Sequence, residues 1–438
     1  MIRLGDVARA VGGWVSPESA QRVVTDCVID SRKAGEGSLF FALEGVHTDG
    51  HDFVDDVLEE SGMAVVSRGE RRLGTVMVRS VEKALLDAAR WRRDNMRSKV
   101  VAITGSSGKT TTRRMLIAAL ECRYTVYGTT GNLNNHIGLP LVLLNAPEED
   151  ADIMVLEMGM NHAGELLVLG GISRPHHCLI TNIGRAHMQF FTSVEGVAGA
   201  KAEVIRTTAP GGICVIPEGE DILSRAAEER DLDISRFGPG GDAWLDFDDS
   251  GSCVLKPWNI GMKLGLSGRH NCVNGMAAAL MAHRLGVRPE DAVRAMEGLS
   301  PAGGRGRIVR KDGLVILDES YNANPDSTLA CLAVLETVEG YRAAVLGDMH
   351  ELGERAPEYH REVLLKVRES GLDLLILTGS IYASQLEGTG LTGAVTAADW
   401  REALAALREQ APKPCTVLVK GSNAMELGRL VRALEEVD

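Results

Sequence analysis

Short apolar runs alternate with longer amphipathic segments over most of the chain, and this alternation predicts its main secondary structure. The clearest run, KVVAIT at residues 99–104, is almost continuously apolar, which is typical of a strand buried within a parallel sheet. A glycine-rich turn and a helix that begins at Lys109 follow it. Further buried strands are predicted at 152–157, 178–181 and 212–216, with helices between them, as at 194–208. The pattern predicts a parallel sheet covered by helices on both faces.

The region before residue 97 has a weaker alternation of the same kind. A helical pattern covers residues 85–96 at its end. Short β-like runs precede this helix at residues 23–29, 38–42, 63–66 and 75–78.

A segment rich in glycine and proline, SPAGGRGR at residues 300–307, indicates a hinge before a second α/β alternation. Strands are predicted after it at 314–317, 343–346, 374–377 and 416–419, with helices near 326–335, 357–370, 399–409 and 424–434. A chain of 438 residues is long enough for three domains at about 150 residues each. We therefore predict an α/β protein with domains at residues 1–96, 97–309 and 310–438.

Composition restricts the possible functions. Hydrophobic residues make up 45% and charged residues 24% of the chain, which is an ordinary globular balance. The net charge of −13 argues against a broad nucleic-acid-binding face. The eight cysteines form no C-x-x-C pair, and no apolar run reaches the ~20 residues that span a bilayer. We expect a cytoplasmic protein without membrane insertion or a nucleic-acid partner, and nothing in the sequence requires more than a monomer.

The sharpest chemical motif is ITGSSGKTTT at residues 103–112, between a predicted strand and a predicted helix. Its glycines allow backbone N–H groups to approach phosphate oxygens, its lysine supplies a positive charge, and its first threonine can bind Mg²⁺. The spacing is a shortened G-x-x-G-K-T form of the phosphate-binding loop, which predicts a nucleoside triphosphate, although a Gly-Ser turn before a helix is the simpler alternative. The predicted phosphate-binding residues are Gly105, Ser106, Ser107, Gly108, Lys109, Thr110 and Thr111.

Further motifs occur in a fixed order along the chain. They are DSR at 30–32, TDGHDF at 48–53, TGNLNNHIGLP at 130–140, EMGMNHAGE at 157–165, TNIGRAH at 181–187, KAE at 201–203, GRHN at 268–271, YNANP at 321–325, LGDMHELG at 346–353 and KGS at 420–422. In this order, and over nearly the whole chain, they resemble the motifs of the Mur ligases of peptidoglycan synthesis.

The resemblance implies an N-terminal domain that binds a UDP-linked substrate, a central ATPase domain and a C-terminal Rossmann-like domain. Within the family the motifs are most similar to those of the member that joins D-alanyl-D-alanine to UDP-N-acetylmuramoyl-tripeptide. The implied reaction consumes ATP with Mg²⁺ and passes through an acyl phosphate. The sequence does not distinguish lysine from diaminopimelate in the tripeptide, and it does not identify the base that deprotonates the amine.

Four residues would then form the catalytic and metal-binding centre. Glu157, at the end of a predicted strand next to that of the phosphate loop, would bind Mg²⁺ beside Thr110; capping of a nearby helix is the alternative. His187 resembles the ligand of a second Mg²⁺, against a purely structural hydrogen-bonding role. Lys201 resembles a lysine that reacts with CO₂ to form a carbamate, which would bind the metal; the alternative is a solvated helical lysine. Lys109 would bind the outer phosphates.

The remaining nucleotide contacts come from both sides of the hinge. Asn271 resembles the residue that binds adenine, and a simple helix N-cap is equally compatible with its position. Arg305 resembles the arginine that reaches the ATP phosphates, with Arg307 as the alternative, and Asp318 resembles the acid that contacts the ribose. Glu319 is left without a role. We expect the third domain to close onto the second when ATP binds.

Polar loops supply the predicted substrate contacts. Those for UDP are Ser31, Arg32, Asp49 and His51; those for peptide and nucleotide edges are Asn132, Asn134 and Asn135; those for D-alanyl-D-alanine are Tyr321, Asn322, Ala323, Asn324 and Lys420. The central asparagines are equally compatible with a loop stabilised by Asx turns. Many relatives carry arginine where this chain has Asn423, so Lys420, Ser422 or another cation would bind the substrate's terminal carboxylate.

Three related enzymes and one binding protein are the rival interpretations. The ligase that adds a diamino acid has an Asp-Asn-Pro-Arg signature, whereas the corresponding stretch here is GDMHELG at 347–353. Folylpolyglutamate synthase lacks a comparable first domain, and a related amidotransferase subunit carries a four-cysteine zinc module. A nucleotide-binding protein without catalysis would not be expected to keep Lys109, Glu157, His187 and Lys201.

Overall fold

Three α/β units, each built on its own main sheet, follow one another along the chain in this computed structural model. The structure describes residues 2–147, 149, 151–248, 252–266, 268–301 and 303–436. The three main sheets have five, six and six strands, and most neighbouring strands in them are parallel. This agrees with the predicted α/β class.

The first sheet has the strand order β2-β7-β6-β5-β4, with only β2 antiparallel to its neighbour. The predicted run at residues 23–29 divides at Thr25, because β3 pairs with β1 whereas β4 pairs with β5. The elements are β1 (Ile2–Arg3), α1 (Leu4–Ala10), β2 (Trp14–Val15), β3 (Val23–Val24), β4 (Asp26–Val28), β5 (Ser38–Phe41), α2 (Val54–Glu59), β6 (Met63–Val66), β7 (Thr75–Met77) and α3 (Val81–Asp94).

The central sheet is entirely parallel, with the order β13-β12-β11-β8-β10-β9. A three-stranded antiparallel sheet, β14-β15-β16, follows it. The elements are β8 (Lys99–Thr104), α4 (Lys109–Leu120), β9 (Val126–Gly128), α5 (Gly138–Leu144), β10 (Ile153–Glu157), α6 (Glu165–Ser173), β11 (His177–Ile180), α7 (Val194–Thr207), β12 (Ile213–Pro217), α8 (Asp221–Glu229), β13 (Asp233–Phe237), β14 (Trp244–Phe247), β15 (Cys253–Lys256), β16 (Ile260–Met262), α9 (Arg269–Arg284) and α10 (Pro289–Glu297).

The third sheet has the order β17-β18-β22-β19-β20-β21, and only β17 is antiparallel. The predicted boundary between residues 309 and 310 falls inside β17, which pairs with β18 of this sheet. The elements are β17 (Arg307–Lys311), β18 (Leu314–Glu319), α11 (Pro325–Glu336), β19 (Tyr341–Gly347), α12 (Ala356–Ser370), β20 (Leu374–Thr378), α13 (Ser380–Ser384), β21 (Val395–Ala397), α14 (Trp400–Gln410), β22 (Cys415–Lys420) and α15 (Leu427–Glu435).

The topology brings the ends of three central strands together. β8 lies between β10 and β11, with Glu157 paired to Ile103 and Ile180 paired to Thr104. Because parallel strands end at the same edge of a sheet, the loops that follow these strands form one surface, where ligands bind in open α/β sheets. Within the described part of the chain, no helix is both long enough and apolar enough to cross a membrane.

The helix that follows the phosphate loop is fixed by apolar packing. Leu116 and Met115 of α4 are fully buried in a cluster that includes Met276 and Leu280 of α9. The helix that presents the loop is therefore held against the helix that carries Asn271.

Truncation of this contact should destabilise the protein. We expect Leu116→Ala to lower the free energy of unfolding by about 2–5 kcal/mol, because it removes buried methyl groups and leaves a cavity. Leu167→Ala is the matched control, since Leu167 of α6 is 44% exposed and its truncation should cost no more than about 0.5 kcal/mol. Urea unfolding followed by circular dichroism measures both, and equal midpoints for the two variants would contradict the assignment.

Candidate active site

The phosphate loop joins β8 to α4 and depends on two glycines. Gly105 has φ +153° and Gly108 has φ +75°, both in the region that glycine adopts at low cost. A Cβ atom at Gly105 would lie 1.8 Å from Thr181 Oγ1, and one at Gly108 would lie 2.4 Å from Asn274 Oδ1. Helix α4 starts directly after Gly108, so its N-terminal N–H groups face the loop. This arrangement suits an anionic phosphate.

The loop after β11 braces the phosphate loop. Asn182 accepts a hydrogen bond from Ser107 N (2.9 Å) and donates one to Ser107 Oγ (3.0 Å), and Thr181 Oγ1 donates to Ser107 O (2.6 Å). Ser106 Oγ bonds both the N–H and the carbonyl of Gly184, at 2.9 and 3.0 Å. The TNIG part of the motif therefore fixes the shape of the neighbouring loop.

Glu157 lies at the end of β10 and is 1% exposed. Its Oε1 accepts hydrogen bonds from Thr110 Oγ1 (3.1 Å) and Asn134 Nδ2 (2.8 Å). Its Oε2 is buried and accepts no hydrogen bond from the described residues, although Arg113 Nη1 lies 3.3 Å away. The carboxylate contacts side chains of the phosphate helix and does not cap a helix through backbone N–H groups, so the capping alternative is wrong.

Lys201 lies on α7 and is 1% exposed, so it is not a solvated helical lysine. Burial lowers the pKa of its ammonium well below the usual value, and the nearby Lys109 cation lowers it further. Burial also lowers the pKa of Lys109, while Glu157 and Glu351 act in the opposite direction. Lys109 Nζ donates to Gly105 O at 2.8 Å. Both lysines therefore have a raised fraction of neutral amine.

His187 follows β11 and reaches into the third domain. Its Nδ1 lies 2.7 Å from Glu351 Oε2, and this hydrogen bond lowers the pKa of the Glu351 carboxyl. Two positions earlier, Arg185 binds Asp326 through Nε (2.9 Å) and Glu362 through Nη1 (2.5 Å). The loop that braces the phosphate site is thus also an interface between the second and third domains.

The candidate adenine residue, Asn271, is 4% exposed and lies in the first turn of α9. The helix begins at Arg269 with Gly268 as its N-cap, so the alternative that Asn271 is the N-cap is wrong. Its neighbour Asn274 donates to Asn271 Oδ1 at 3.4 Å and borders Gly108. This helix therefore places the Asn271 amide on the same side as the phosphate loop.

The two hinge arginines have different surroundings. The Arg305 guanidinium lies 3.7 Å from the ring centroid of Tyr321, and its charge lowers the pKa of Lys109. Arg307 instead binds Asp318 (3.1 Å) and both carboxylate oxygens of Glu435 (2.7 and 3.0 Å). Arg307 is therefore held within the third domain, and Arg305 is the arginine near the phosphate lysine.

Asp318, the candidate ribose contact, is 2% exposed and is already bonded within its domain. Besides Arg307, it accepts hydrogen bonds from Gly304 N (3.1 Å) and Ser320 Oγ (2.6 Å). These contacts fix the hinge, and any ribose contact would have to share the Asp318 carboxylate with them.

The predicted substrate residues of the third domain have structural partners. Lys420 Nζ donates to Asn322 O at 3.0 Å, and Asn324 caps α11 by accepting from Ser327 N at 2.8 Å. Ser422 Oγ accepts from His350 N at 2.8 Å. Lys420 and Ser422 are therefore both hydrogen-bonded within the third domain. They are the two groups that the sequence analysis considered in place of an arginine at Asn423. Ala323 is buried.

Of the three central asparagines, only Asn134 reaches Glu157. Asn135 Oδ1 accepts from Gly138 N (2.8 Å) and Ile137 N (3.2 Å), which is the Asx-turn alternative. Asn132 is exposed on the same loop. The loop thus combines a structural asparagine with one that binds the buried carboxylate.

Known proteins resemble this chain from one end to the other. Family models match residues 24–94 ("Mur ligase family, catalytic domain"), 103–282 ("Mur ligase middle domain") and 304–423 ("Mur ligase, glutamate ligase domain"). The UDP-N-acetylmuramoyl-tripeptide–D-alanyl-D-alanine ligase of Bacillus subtilis is 33% identical over 450 residues, which cover 98% of each chain. The chain belongs to the Mur ligase family.

Solved structures agree with this family. A MurF from Acinetobacter baumannii has a TM-score of 0.88 and 32% identity, with 98% of each chain covered. A MurF ligase from Thermotoga maritima in complex with ADP has a TM-score of 0.83 and 28% identity, covering 94% of this chain and 97% of that one. The three-domain architecture of the Mur ligases is therefore present here.

In this Mur ligase, the predicted UDP residues divide into two pairs. Arg32 bonds only its neighbour Asp30 among the described residues, at 2.8 and 2.9 Å, and Ser31 starts the same short 3₁₀ helix. Asp49 accepts from the ring Nδ1 of His51 at 2.8 Å and also contacts Arg68. The structure brings Asp49 and His51 together, with Arg68 as a cation beside them.

Several residues of the Mur ligase site escaped the sequence analysis. Glu351, Arg185 and Asn182 lie in motifs that were noted without a role, and Arg113 and Asn274 lie one helical turn from predicted residues. The 3.6-residue helical period was the available signal for Arg113 and Asn274, because it places them on the same face as Lys109 and Asn271.

Substitution of the first loop glycine tests the phosphate site. We expect Gly105→Ala to weaken binding of MgADP at least tenfold, because the new Cβ would collide with Thr181 Oγ1 and displace the loop. Gly199→Ala on α7 is the control, since no atom lies within 4 Å of a Cβ there. Isothermal titration measures both affinities; unchanged binding in Gly105→Ala would exclude this loop as the phosphate site.

Proposed function

We propose that this Mur ligase uses ATP to join D-alanyl-D-alanine to UDP-N-acetylmuramoyl-tripeptide in peptidoglycan precursor synthesis. The observation that carries the proposal is the phosphate loop after β8, with the buried Glu157 carboxylate on the Thr110 hydroxyl. Lys109 feels the charges of Glu157 and of Glu351, the partner of His187, and the buried Lys201 feels the charge of Lys109. Support also comes from the full-length similarity to ligases that bear this name and to a MurF ligase that contains ADP.

The chemistry explains why such a site is needed. A carboxylate is a poor electrophile, so a carboxylate oxygen of the tripeptide first attacks the γ-phosphorus of ATP, and ADP leaves. The acyl phosphate that results has a good leaving group. The amine of D-alanyl-D-alanine then attacks the acyl carbon, and the tetrahedral intermediate expels phosphate and a proton to leave the amide. Lys109 and the N-terminus of α4 would stabilise the negative charge on the phosphates.

The donor set at Glu157 fits Mg²⁺. The buried Oε2 has no hydrogen-bond donor among the described residues, and the Thr110 hydroxyl lies on the same carboxylate. Mg²⁺ prefers oxygen ligands of this kind together with substrate phosphates. Glu157 and Thr110 would hold one ion, and His187 with a modified Lys201 would hold a second; the ions would neutralise phosphate charge.

Lys201 is proposed to carry a carbamate. The ammonium first gives up one proton. The neutral amine then attacks CO₂, forms an N–C bond and loses a second proton, so that a cation becomes a carboxylate-like anion. Burial of Lys201 and the nearby Lys109 favour the neutral amine that this reaction requires. The carbamate would then compensate the Lys109 charge and bind the metal.

The other assignments complete the substrate sites. Asn271 would bind adenine, Arg305 the phosphates and Asp318 the ribose. The first domain would bind UDP through Ser31, Arg32, Asp49 and His51, Asn132 and Asn134 would face the tripeptide, and the Tyr321–Asn324 segment with Lys420 would bind D-alanyl-D-alanine. Since Asn135 and Asn324 use their Oδ1 atoms in structural hydrogen bonds, their Nδ2 groups would donate to the substrate.

Three further assignments describe the protein as a whole. We place the first domain at residues 1–96. The second domain runs from residue 97 to the hinge, and the third domain starts with β17. All eight cysteines are free and six of them are buried, as suits a reducing compartment such as the cytoplasm. We take the active unit to be a monomer.

The decisive assay compares amine acceptors. With ATP, Mg²⁺ and UDP-N-acetylmuramoyl-tripeptide, we expect phosphate release to depend on D-alanyl-D-alanine and not on free diamino acids. With ¹⁸O in the reacting carboxylate, one labelled oxygen should appear in the released phosphate, because the acyl phosphate breaks at its acyl carbon–oxygen bond. Mass spectrometry of the phosphate measures the transfer. Phosphate without the label would refute the acyl-phosphate route, and equal rates with diamino acids would refute the acceptor.

Replacement of the buried lysine tests the carbamate. We expect Lys201→Ala to lose at least 10²-fold in rate, in the range of single catalytic groups, and short carboxylates to restore part of it. In ¹³C-bicarbonate, the intact protein should show a carbamate signal by ¹³C NMR that Lys201→Ala lacks. Lys83→Ala is the control, since the Lys83 side chain is 73% exposed on α3. A spectrum identical in the wild type and Lys201→Ala would remove the carbamate from the proposal.

A further inference from the structure

We propose that Glu351 of the third domain is a positioning residue that orients His187 toward Mg²⁺, so that docking of the third domain completes the metal site of the second. This inference rests on the proposed function, because it takes His187 as a metal ligand. It assigns a task to a residue that lies 164 positions from its partner and has no other role in the proposed reaction.

The contact has the geometry of a carboxylate that fixes a metal-binding imidazole. His187 Nδ1 lies 2.7 Å from Glu351 Oε2, so the Nδ1–H group donates to the carboxylate. In this tautomer the lone pair is on Nε2, which becomes the nitrogen available to a cation. Metal-binding histidines almost always donate their other ring N–H to such a partner. The His187 side chain is 18% exposed and that of Glu351 is 43% exposed, so the pair borders open space.

The backbone of both partners is held in an uncommon conformation. His187 has φ +58° and Glu351 has φ +61°, and residues other than glycine rarely adopt this left-handed backbone conformation. Such conformations persist where the surroundings impose them, often at functional sites. One constraint is a second interdomain bond, in which Gln189 N donates to Glu351 O at 2.9 Å. The contact is therefore made by backbone and side chain together.

The loop that carries Glu351 is anchored inside the third domain. The Asp348 carboxylate accepts from the N–H groups of Ile381 and Tyr382, both at 2.9 Å. Met349 N donates to His360 Nε2 at 2.9 Å. Glu351 is thus presented by a rigid support, and its position follows the position of the third domain.

Docking of the two domains has a separate anchor. Arg185, in the same loop as His187, binds Asp326 and Glu362 and lies 5.3 Å from the Tyr359 ring. Loss of the Glu351 carboxylate should therefore leave the domains docked, while the imidazole loses its orientation. This separation allows metal binding to be tested independently of domain closure.

The experiment compares Glu351→Ala with Glu351→Gln. Outer partners of metal ligands are worth 10–100-fold in metal affinity or activity. We expect Glu351→Ala to raise the Mg²⁺ concentration for half-maximal phosphate release by that factor. Glu351→Gln keeps an oxygen that accepts from Nδ1–H and should stay within about threefold of the wild type, well short of that factor. Glu354→Ala, an exposed glutamate three positions away, is the matched control and should not change it.

A second measurement does not depend on activity. Mn²⁺ replaces Mg²⁺ in the enzyme saturated with a non-hydrolysable ATP analogue and UDP-N-acetylmuramoyl-tripeptide, and electron spin-echo spectroscopy detects imidazole nitrogen bound to Mn²⁺. We expect a ¹⁴N coupling in the wild type and Glu351→Gln, and its loss in His187→Ala and Glu351→Ala. Small-angle scattering should give the same radius of gyration for the wild type and Glu351→Ala.

Each outcome has a defined meaning. A wild-type ¹⁴N coupling and Mg²⁺ dependence in Glu351→Ala would overturn the inference while the ligase assignment stands. A coupling that persists in His187→Ala would overturn it as well, because His187 would not be the ligand. Loss of compactness in Glu351→Ala would assign the residue to docking instead. Failure of the proposed function is distinct, since the wild type would then release no phosphate in response to D-alanyl-D-alanine.

Discussion

The buried carboxylate of Glu157 is the group around which the candidate active site is organised. At 1% exposure it has lost nearly all of its hydration, and a buried charge of this kind is costly unless polar groups surround it. Thr110, Asn134 and Arg113 supply those groups from two different segments. Removal of any one of them would leave the Glu157 charge less compensated. The phosphate helix and the asparagine loop are therefore held together because both supply polar groups to this one carboxylate. The second carboxylate oxygen, Oε2, lies 3.3 Å from Arg113 Nη1 and accepts no hydrogen bond from the described residues.

The same requirement explains how an acidic chain builds an anion-binding centre. The protein has a net charge of −13, yet burial lowers the pKa of Lys109, Arg113 and Lys201. The Arg305 charge lowers the pKa of Lys109 and Arg113 further, and the Lys109 charge does the same for Lys201. Buried cations that repel a neighbour in this way are stable only next to negative groups or when one of them is neutral. Glu157 and Glu351 provide negative charge, and the buried Lys201 is the cation most readily lost. Triphosphate and acyl phosphate would supply the remaining negative charge during the reaction.

Local sequence signals predicted what depends on local structure. The strand at Lys99–Thr104 and the helix that starts at Lys109 were predicted to the residue, because an apolar run, a glycine turn and a helix start follow one another without interruption. The position of Glu157 beside the phosphate strand was also confirmed. The intervening strand β9 was not predicted, and it pairs with the far side of β10. The division of residues 23–29 into β3 and β4 was missed, because it depends on which distant strands pair with each half.

Long-range partners account for most of the remaining differences. Nothing in the periodicity near His187 indicates Glu351, which lies on another domain, and nothing near Arg185 indicates Asp326 or Glu362. The sequence analysis assigned Arg305 but kept Arg307 as the alternative, because the partner that separates them, Glu435, lies at the far end of the third domain.

The pairing of Arg307 separates the roles of the two arginines in the hinge. Arg307 is bound to Asp318 and Glu435, so it moves as part of the third domain. Arg305 makes a cation–π contact with Tyr321, an interaction that is weak at partly exposed sites and is readily exchanged for a phosphate. Arg305 and Arg307 are separated by Gly306, which has φ +74°, and this bend presents the two arginines to different partners. Under the proposed function, Arg305 would contact the nucleotide while Arg307 keeps its partners within the third domain.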